Sequence, residues 1–72
     1  MEIMKNTIKV ERAKRDMTQQ DLAERVGVSR QTINSIETGR FIPSSLLALK
    51  IAYVFEALVN DLFMLEEDEI PG

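Results

Sequence analysis

The stretch from Gln19 to Thr38, QQDLAERVGVSRQTINSIET, constrains this chain more than any other part of it. Leu22 and Val26 lie four residues apart and Ile33 and Ile36 lie three apart, so each pair falls on one face of a helix. Gly27 stands between the pairs, where the chain must turn sharply and where glycine enters the left-handed region without penalty. Ala23 is small where two crossing helices come closest, opposite Ile33. The pattern predicts a helix, a four-residue turn and a second helix over residues 19–38.

The helix ends agree with the apolar spacing. Thr18 precedes the first of these helices and Asp21 follows it by three, which suits an N-cap with an acid near the helix N-terminus. Ser29 precedes the second helix and can cap the amides of Gln31 or Thr32. Gly39 follows the last periodic residue and suits the position just past a helix C-terminus. Caps, turn glycine and apolar positions together form the pattern of a helix-turn-helix whose second helix lies in the major groove of DNA.

With 72 residues, 44% of them hydrophobic, the chain supports one domain with one small core. It has no cysteine, hence no disulfide framework and no thiolate metal site, and no histidine, the commonest general base and metal ligand. Nor does it show a glycine-rich phosphate loop or a spaced carboxylate pair. An enzyme, a metal centre and a bound cofactor are therefore not expected. No apolar run approaches the roughly 20 residues of a membrane span and no signal-peptide pattern opens the chain, so a cytoplasmic location without membrane contact is the default. The net charge of −3 argues against nucleic acid only at first sight. Residues 1–40 hold eight Lys or Arg against six acids, whereas residues 41–72 hold one Lys against six acids. The motif lies in the basic half, and local field governs phosphate binding. Weak non-specific binding is expected from the total.

Residues 1–6 form a mixed, frayed start. Ile8, Val10, Ala13 and Met17 then predict a helix from about Thr7 to Arg15, capped by Asn6 or Thr7. Lys5, Lys9, Arg12, Lys14 and Arg15 on its other face are either solvated or in contact with DNA phosphates. Residues 40–43 (RFIP) form a loop ended by Pro43, and Ser44 or Ser45 can cap a fourth helix. That helix, with Leu46, Leu47, Leu49, Ile51, Ala52, Val54 and Phe55, is apolar on more than one face, as befits a central helix or an interface. Val59, Leu62 and Phe63 fit a short fifth helix. The acidic tail MLEEDEIPG reads as a solvated end, with an alternative strand over residues 62–66 that pairs with a second subunit.

On TQQDLAERVGVSRQTINSIETGR, then PSSLLALKIA, then NDLF, residues 5–63 resemble the Xre type of transcriptional regulators, relatives of the phage repressor and Cro proteins in their minimal form. The resemblance implies an all-α, five-helix repressor-like DNA-binding domain over 5–63, with the helix-turn-helix at helices 2 and 3, and an acidic tail over 64–72 that can hold a short strand. Similar proteins bind operator DNA as dimers and mostly repress. By the same resemblance Gln19 clamps a phosphate, and Ser29, Arg30, Gln31 and Thr32 open the recognition helix toward the bases. Arg30 suits guanine and Gln31 suits adenine. Thr32 can meet a thymine methyl or a phosphate. Asn34 and Ser35 are the next outward polar residues, and Thr38 and Arg40 fall where similar proteins hold the backbone.

Plainer roles stand beside these. Ser29 can cap the helix, contact DNA or do both, and Arg30 and Asn34 can simply be solvated. Glu37 is expected to be structural, set against Arg30 or Arg40. Leu22, Ala23, Val26, Ile33, Ile36 and Met17 are core. The chain departs from the family pattern where Leu-Gly-Val-Ser commonly precedes the fifth helix and Phe55-Glu56-Ala57-Leu58 stands here. Glu56 in the left-handed turn costs on the order of 1 kcal/mol. Either helix four runs on, or Leu58 is buried against another subunit. Ser45 and Leu46 also exchange the usual apolar and polar places. These extra apolar residues favour a dimer. The expected function is a DNA-binding regulator, a repressor acting as a homodimer on a palindromic operator. The alternative is an antitoxin or another partner-binding helix-turn-helix module, with the fourth helix and acidic segment docking a protein.

Overall fold

The computed structural model describes residues 5–71. Of the frayed start expected over residues 1–6, residues 1–4 lie outside the described residues, and Lys5 and Asn6 form a strand instead, because they pair with Phe63 and Met64. The helices are α1 (Ile8–Lys14), α2 (Gln19–Val26), α3 (Arg30–Glu37), α4 (Ser45–Phe55) and α5 (Val59–Leu62). Two short strands, β1 (Lys5–Asn6) and β2 (Phe63–Met64), pair antiparallel, Lys5 opposite Met64 and Asn6 opposite Phe63. A 3-10 turn over Glu67–Glu69 follows.

The C-terminal strand, which sequence offered only as the alternative to a solvated end and over residues 62–66, covers Phe63–Met64 and pairs within the chain, not with a second subunit. The reason lies at the other terminus. The Thr7 amide donates to the Leu62 carbonyl at 2.9 Å and the Thr7 hydroxyl to the Asp61 carbonyl at 3.1 Å, which brings Lys5 and Asn6 alongside residues 63–64. Lys5 also pairs with Glu66 across 3.7 Å. The expected boundary between domain and tail falls inside this strand.

The core gathers Ile8, Met17, Leu22, Ala23, Val26, Ile33, Ile36, Ile51, Ala52, Phe55, Leu62 and Phe63. Helix α2 packs on both α3 and α4. The first helix contributes less than its sequence suggests, because Val10 and Ala13 face solvent and Ile8 alone of its residues is buried. It is held instead by polar contacts. Arg15 donates to the Phe55 carbonyl at 2.7 Å, and its guanidinium carbon lies 4.9 Å from the centre of the Phe55 ring. The cation thus closes the carbonyl end of α4 while covering its last aromatic.

Helices α1 to α4 are all followed by a left-handed residue: Asp16, Gly27, Gly39 and Glu56, with φ of 52°, 77°, 79° and 53°. After α3 the Arg40 amide bonds the Ser35 carbonyl and the Gly39 amide bonds the Ile36 carbonyl, which is a Schellman closure. The same pair of bonds follows α4, from Ala57 to Ala52 and from Glu56 to Tyr53. Helix four therefore stops at Phe55 and the turn survives without its glycine. Leu58 begins α5 with no side-chain cap and is 71% exposed in the single chain.

Candidate nucleic-acid interface

The sequence builds the two helix starts that face each other at this site. Thr18 and Asp21 cap α2 reciprocally: the Asp21 amide donates to the Thr18 hydroxyl at 2.9 Å and the Thr18 amide to the Asp21 carboxylate at 3.0 Å. Donation from the Thr18 backbone, helped by its hydroxyl, holds the Asp21 carboxyl below its ordinary range. Ser29 caps α3 by accepting the Thr32 amide at 3.1 Å, and its hydroxyl lies 2.9 Å from that of Thr32. Ser44 caps α4 in the same way, through the Leu47 amide.

These caps place Gln19 at the first position of α2, level with α3. Its amide nitrogen donates to Asn34 Oδ1 at 3.1 Å and to Glu37 Oε1 at 3.2 Å, and its carbonyl oxygen accepts from Arg30 at 3.3 Å. Glu37 is not set against Arg30 or Arg40, as expected, but against Arg12. The Arg12 Nε lies 2.6 Å from Oε2, and a second donor lies 3.0 Å from Oε1. A third Arg12 donor reaches the Met17 carbonyl at 2.8 Å. The pair is nearly dry, with side chains 14% and 5% exposed. Hydrogen bonding to Glu37 raises the Arg12 pKa beyond its already high value. Arg12 is thus committed to Glu37, and Arg15, though exposed, to Glu11 and the Phe55 carbonyl, so both leave the basic face that sequence alone offered to phosphates.

The network divides α3 lengthwise. At 100° per residue, Ile33 and Ile36 turn to the core, Arg30, Asn34 and Glu37 turn to Gln19, and Gln31, Ser35 and Thr38 turn outward. Arg30 and Asn34 are therefore tied to Gln19 and not merely solvated. The Thr38 hydroxyl donates back to the Asn34 and Ser35 carbonyls, at 3.0 and 3.2 Å. Gln31 is exposed with the oxygen and nitrogen of its side-chain amide open to a ligand, and Arg40 is exposed and in no ion pair among the described residues.

Two residues of the site escaped the sequence reading. Phe41, 45% exposed, lines a cleft of about 270 Å³ with Ser29, Gln31, Thr32 and Ser35, and its amide bonds the Ser35 carbonyl. The signal was an aromatic two residues past the helix-ending glycine. Asn6 donates to the Ile36 carbonyl at 2.8 Å and so braces the far end of α3 from the N-terminal strand; a separation of 30 positions gave no sign of it. The site offers amides, hydroxyls and guanidinium groups on a convex helix. This chemistry suits hydrogen bonding to base edges and phosphates. Among the described residues no acid cluster suits a metal ion, and no helix is long and apolar enough to cross a membrane.

Comparison with known proteins agrees with this geometry. The helix-turn-helix family model matches residues 8–56. An uncharacterised HTH-type transcriptional regulator of Methanocaldococcus jannaschii is 52% identical over 66 residues, covering 92% of this chain and all of the relative. The uncharacterised regulator YgzD of Bacillus subtilis is 49% identical over 65 residues, covering 90% of this chain and 98% of its own. Among solved structures, the SOS-response transcriptional repressor LexA of Eubacterium rectale superposes with a TM-score of 0.75 at 29% identity, covering 92% of this chain and 70% of that one. Five helices, the capped turn between α2 and α3 and these relatives together place the chain in the Xre-type helix-turn-helix family of DNA-binding transcriptional regulators.

Proposed function

We propose that this protein is a cytoplasmic repressor that reads a two-fold symmetric operator as a homodimer and does no chemistry of its own. The observation that carries the reading is the outward row of α3. Gln31 and Ser35 are uncommitted there, while Arg30 and Asn34 are held beside them by Gln19. Base contacts come from Arg30, Gln31 and Ser35. Gln19, Thr38 and Arg40 hold the phosphate backbone. Ser29 keeps its cap and presents its hydroxyl with that of Thr32 at the helix start. Asn34 orients Gln19. The solved LexA, itself described as a transcriptional repressor, supports repression as the mode of action. Two recognition helices separated by roughly 34 Å would enter successive major grooves on one side of the duplex.

Selection of sites from a random duplex pool, at about 150 mM salt, tests the reading. The expected product is a two-fold symmetric sequence. Arg30→Ala with Gln31→Ala should erase the sequence preference and leave the fold intact. Arg40→Ala should weaken binding to all sequences alike and reduce its salt dependence, whereas Gln19→Ala, which removes no charge, should weaken binding with the salt dependence unchanged. Retention of the operator preference by the Arg30 and Gln31 double variant would refute the base-contact assignment.

A further inference from the structure

Helix α4 is apolar on the side turned away from the core. Leu46, Leu49 and Tyr53 share one stripe with Lys50 and are 63%, 58% and 85% exposed. Tyr53 stands at the rim of two shallow clefts. One, of about 460 Å³, lies between α4 and the C-terminal end of α2, from Glu24 to Gly27, with Leu49 and Lys50 on the α4 side. Gly27 leaves it open, since a Cβ there would meet nothing within 4 Å. The other is bordered by Arg25 and Glu56.

We propose that this face binds the same face of a second copy of the chain, with Tyr53 of each copy entering the cleft beside α2 of the other. Knob and hole lie on one patch, which is what a two-fold contact demands: residue i meets j as j meets i. An exposed tyrosine with an apolar neighbour and a matching cleft is the side chain best suited to anchor such a contact. The charges fit the same occupant. Two acids, Glu24 and Glu56, and two cations, Arg25 and Lys50, border the two clefts, so each sign has its opposite on a second copy, whereas a partner of one strong charge would meet repulsion from one of the two pairs. Lys50 has no ion pair among the described residues and is available for this. A contact of about a tenth of the 5207 Å² surface, roughly 500 Å² per copy, lies at the low end for specific pairs, so the dimer forms with rising concentration. The proposal rests on the homodimer reading above and supplies its contact surface.

Sedimentation velocity of the full chain from about 1 to 200 μM tests it, with Tyr53→Lys and Leu49→Lys as variants and far-UV melts as the fold control. The expected result is a monomer–dimer equilibrium whose dissociation constant rises at least about tenfold in each variant. Both variants should keep the wild-type melt and the wild-type affinity for a single half-site duplex. Variants as dimeric as the wild type overturn the surface and leave the homodimer standing. A wild-type chain monomeric at every concentration also overturns it. Site selection then separates the two readings: a symmetric operator keeps the homodimer on DNA, and a lone half-site ends it.

Discussion

Replacing Glu37 by Ala should remove a large share of this domain's stability although the residue lies on the helix expected to touch DNA. The Glu37 carboxylate is 5% exposed and accepts three hydrogen bonds, two from Arg12 and one from Gln19. Its removal leaves the Arg12 guanidinium, 14% exposed, with only the Met17 carbonyl as partner. Breaking a fully buried pair from one side costs about 3–5 kcal/mol, because the remaining charge stays dehydrated and uncompensated. Here both residues are half-buried and Arg12 keeps the Met17 carbonyl, so the lower figure applies. A chain of this length holds about 4–11 kcal/mol in total, so the loss takes between about a quarter and three quarters of the stability. At the lower figure Tm falls by roughly 12–24 °C. The double variant Arg12→Met, Glu37→Leu should recover most of this, since a dry apolar pair of similar volume avoids both desolvation penalties. Thermal melts of wild type, Arg12→Met, Glu37→Leu and the double variant at pH 7 give the full cycle, with Glu37→Ala measured beside them. A Glu37→Ala protein within 1 kcal/mol of wild type, or a double variant as unstable as the worse single, would refute the claim that charge burial sets the magnitude. The double variant has a second use. It removes one of the two acceptors for Gln19 while restoring the fold, so its weakened DNA binding would report the positioning of Gln19 apart from stability.

Other outcomes follow from the helix ends. Gly27→Ala should cost about 1–2 kcal/mol from backbone strain alone, since the added methyl meets no neighbour; a neutral result in urea unfolding would mean that the turn relaxes. Glu56→Gly should move stability the other way, by up to about 1 kcal/mol, because Glu56 occupies the same left-handed region without a glycine's freedom. A drop in Tm on that substitution would show that the Glu56 side chain makes a contribution larger than the strain. Asp21 has a folded pKa below its unfolded value, so its stabilisation is complete above about pH 4 and is lost as pH falls through the folded value. Asp21→Asn should therefore lower stability at pH 7 and flatten the acid limb of the stability curve, and an acid limb as steep as that of wild type would remove Asp21 from its origin.

What could be read from sequence was what acts over a few residues. Caps, the turn glycine and the core spacing of α2 and α3 depend on neighbours three or four positions away, and Thr18, Asp21, Gly27, Ser29, Ile33 and Ile36 stand where that logic puts them. The partners of Glu37 and of the C-terminal strand were misread because both are remote. Arg12 lies 25 residues before Glu37, and Lys5 and Asn6 lie nearly the whole chain away from Phe63 and Met64. A charged residue on a short helix has several cations within reach along the sequence, and only the packing of α1 selects among them. The consequence bears on recognition. Helix α3 packs on its core side through two isoleucines, too few to fix its rotation. Its orientation is completed by Arg12 on Glu37, Asn6 on the Ile36 carbonyl and Gln19 on Asn34, all from elements before it in the chain. The side chains of Gln31 and Ser35 in the outward row are thereby free of structural duty. Gln31 and Ser35 can be exchanged for other side chains without loss of fold, while the residues that aim them cannot. This separation lets one scaffold carry different operator preferences.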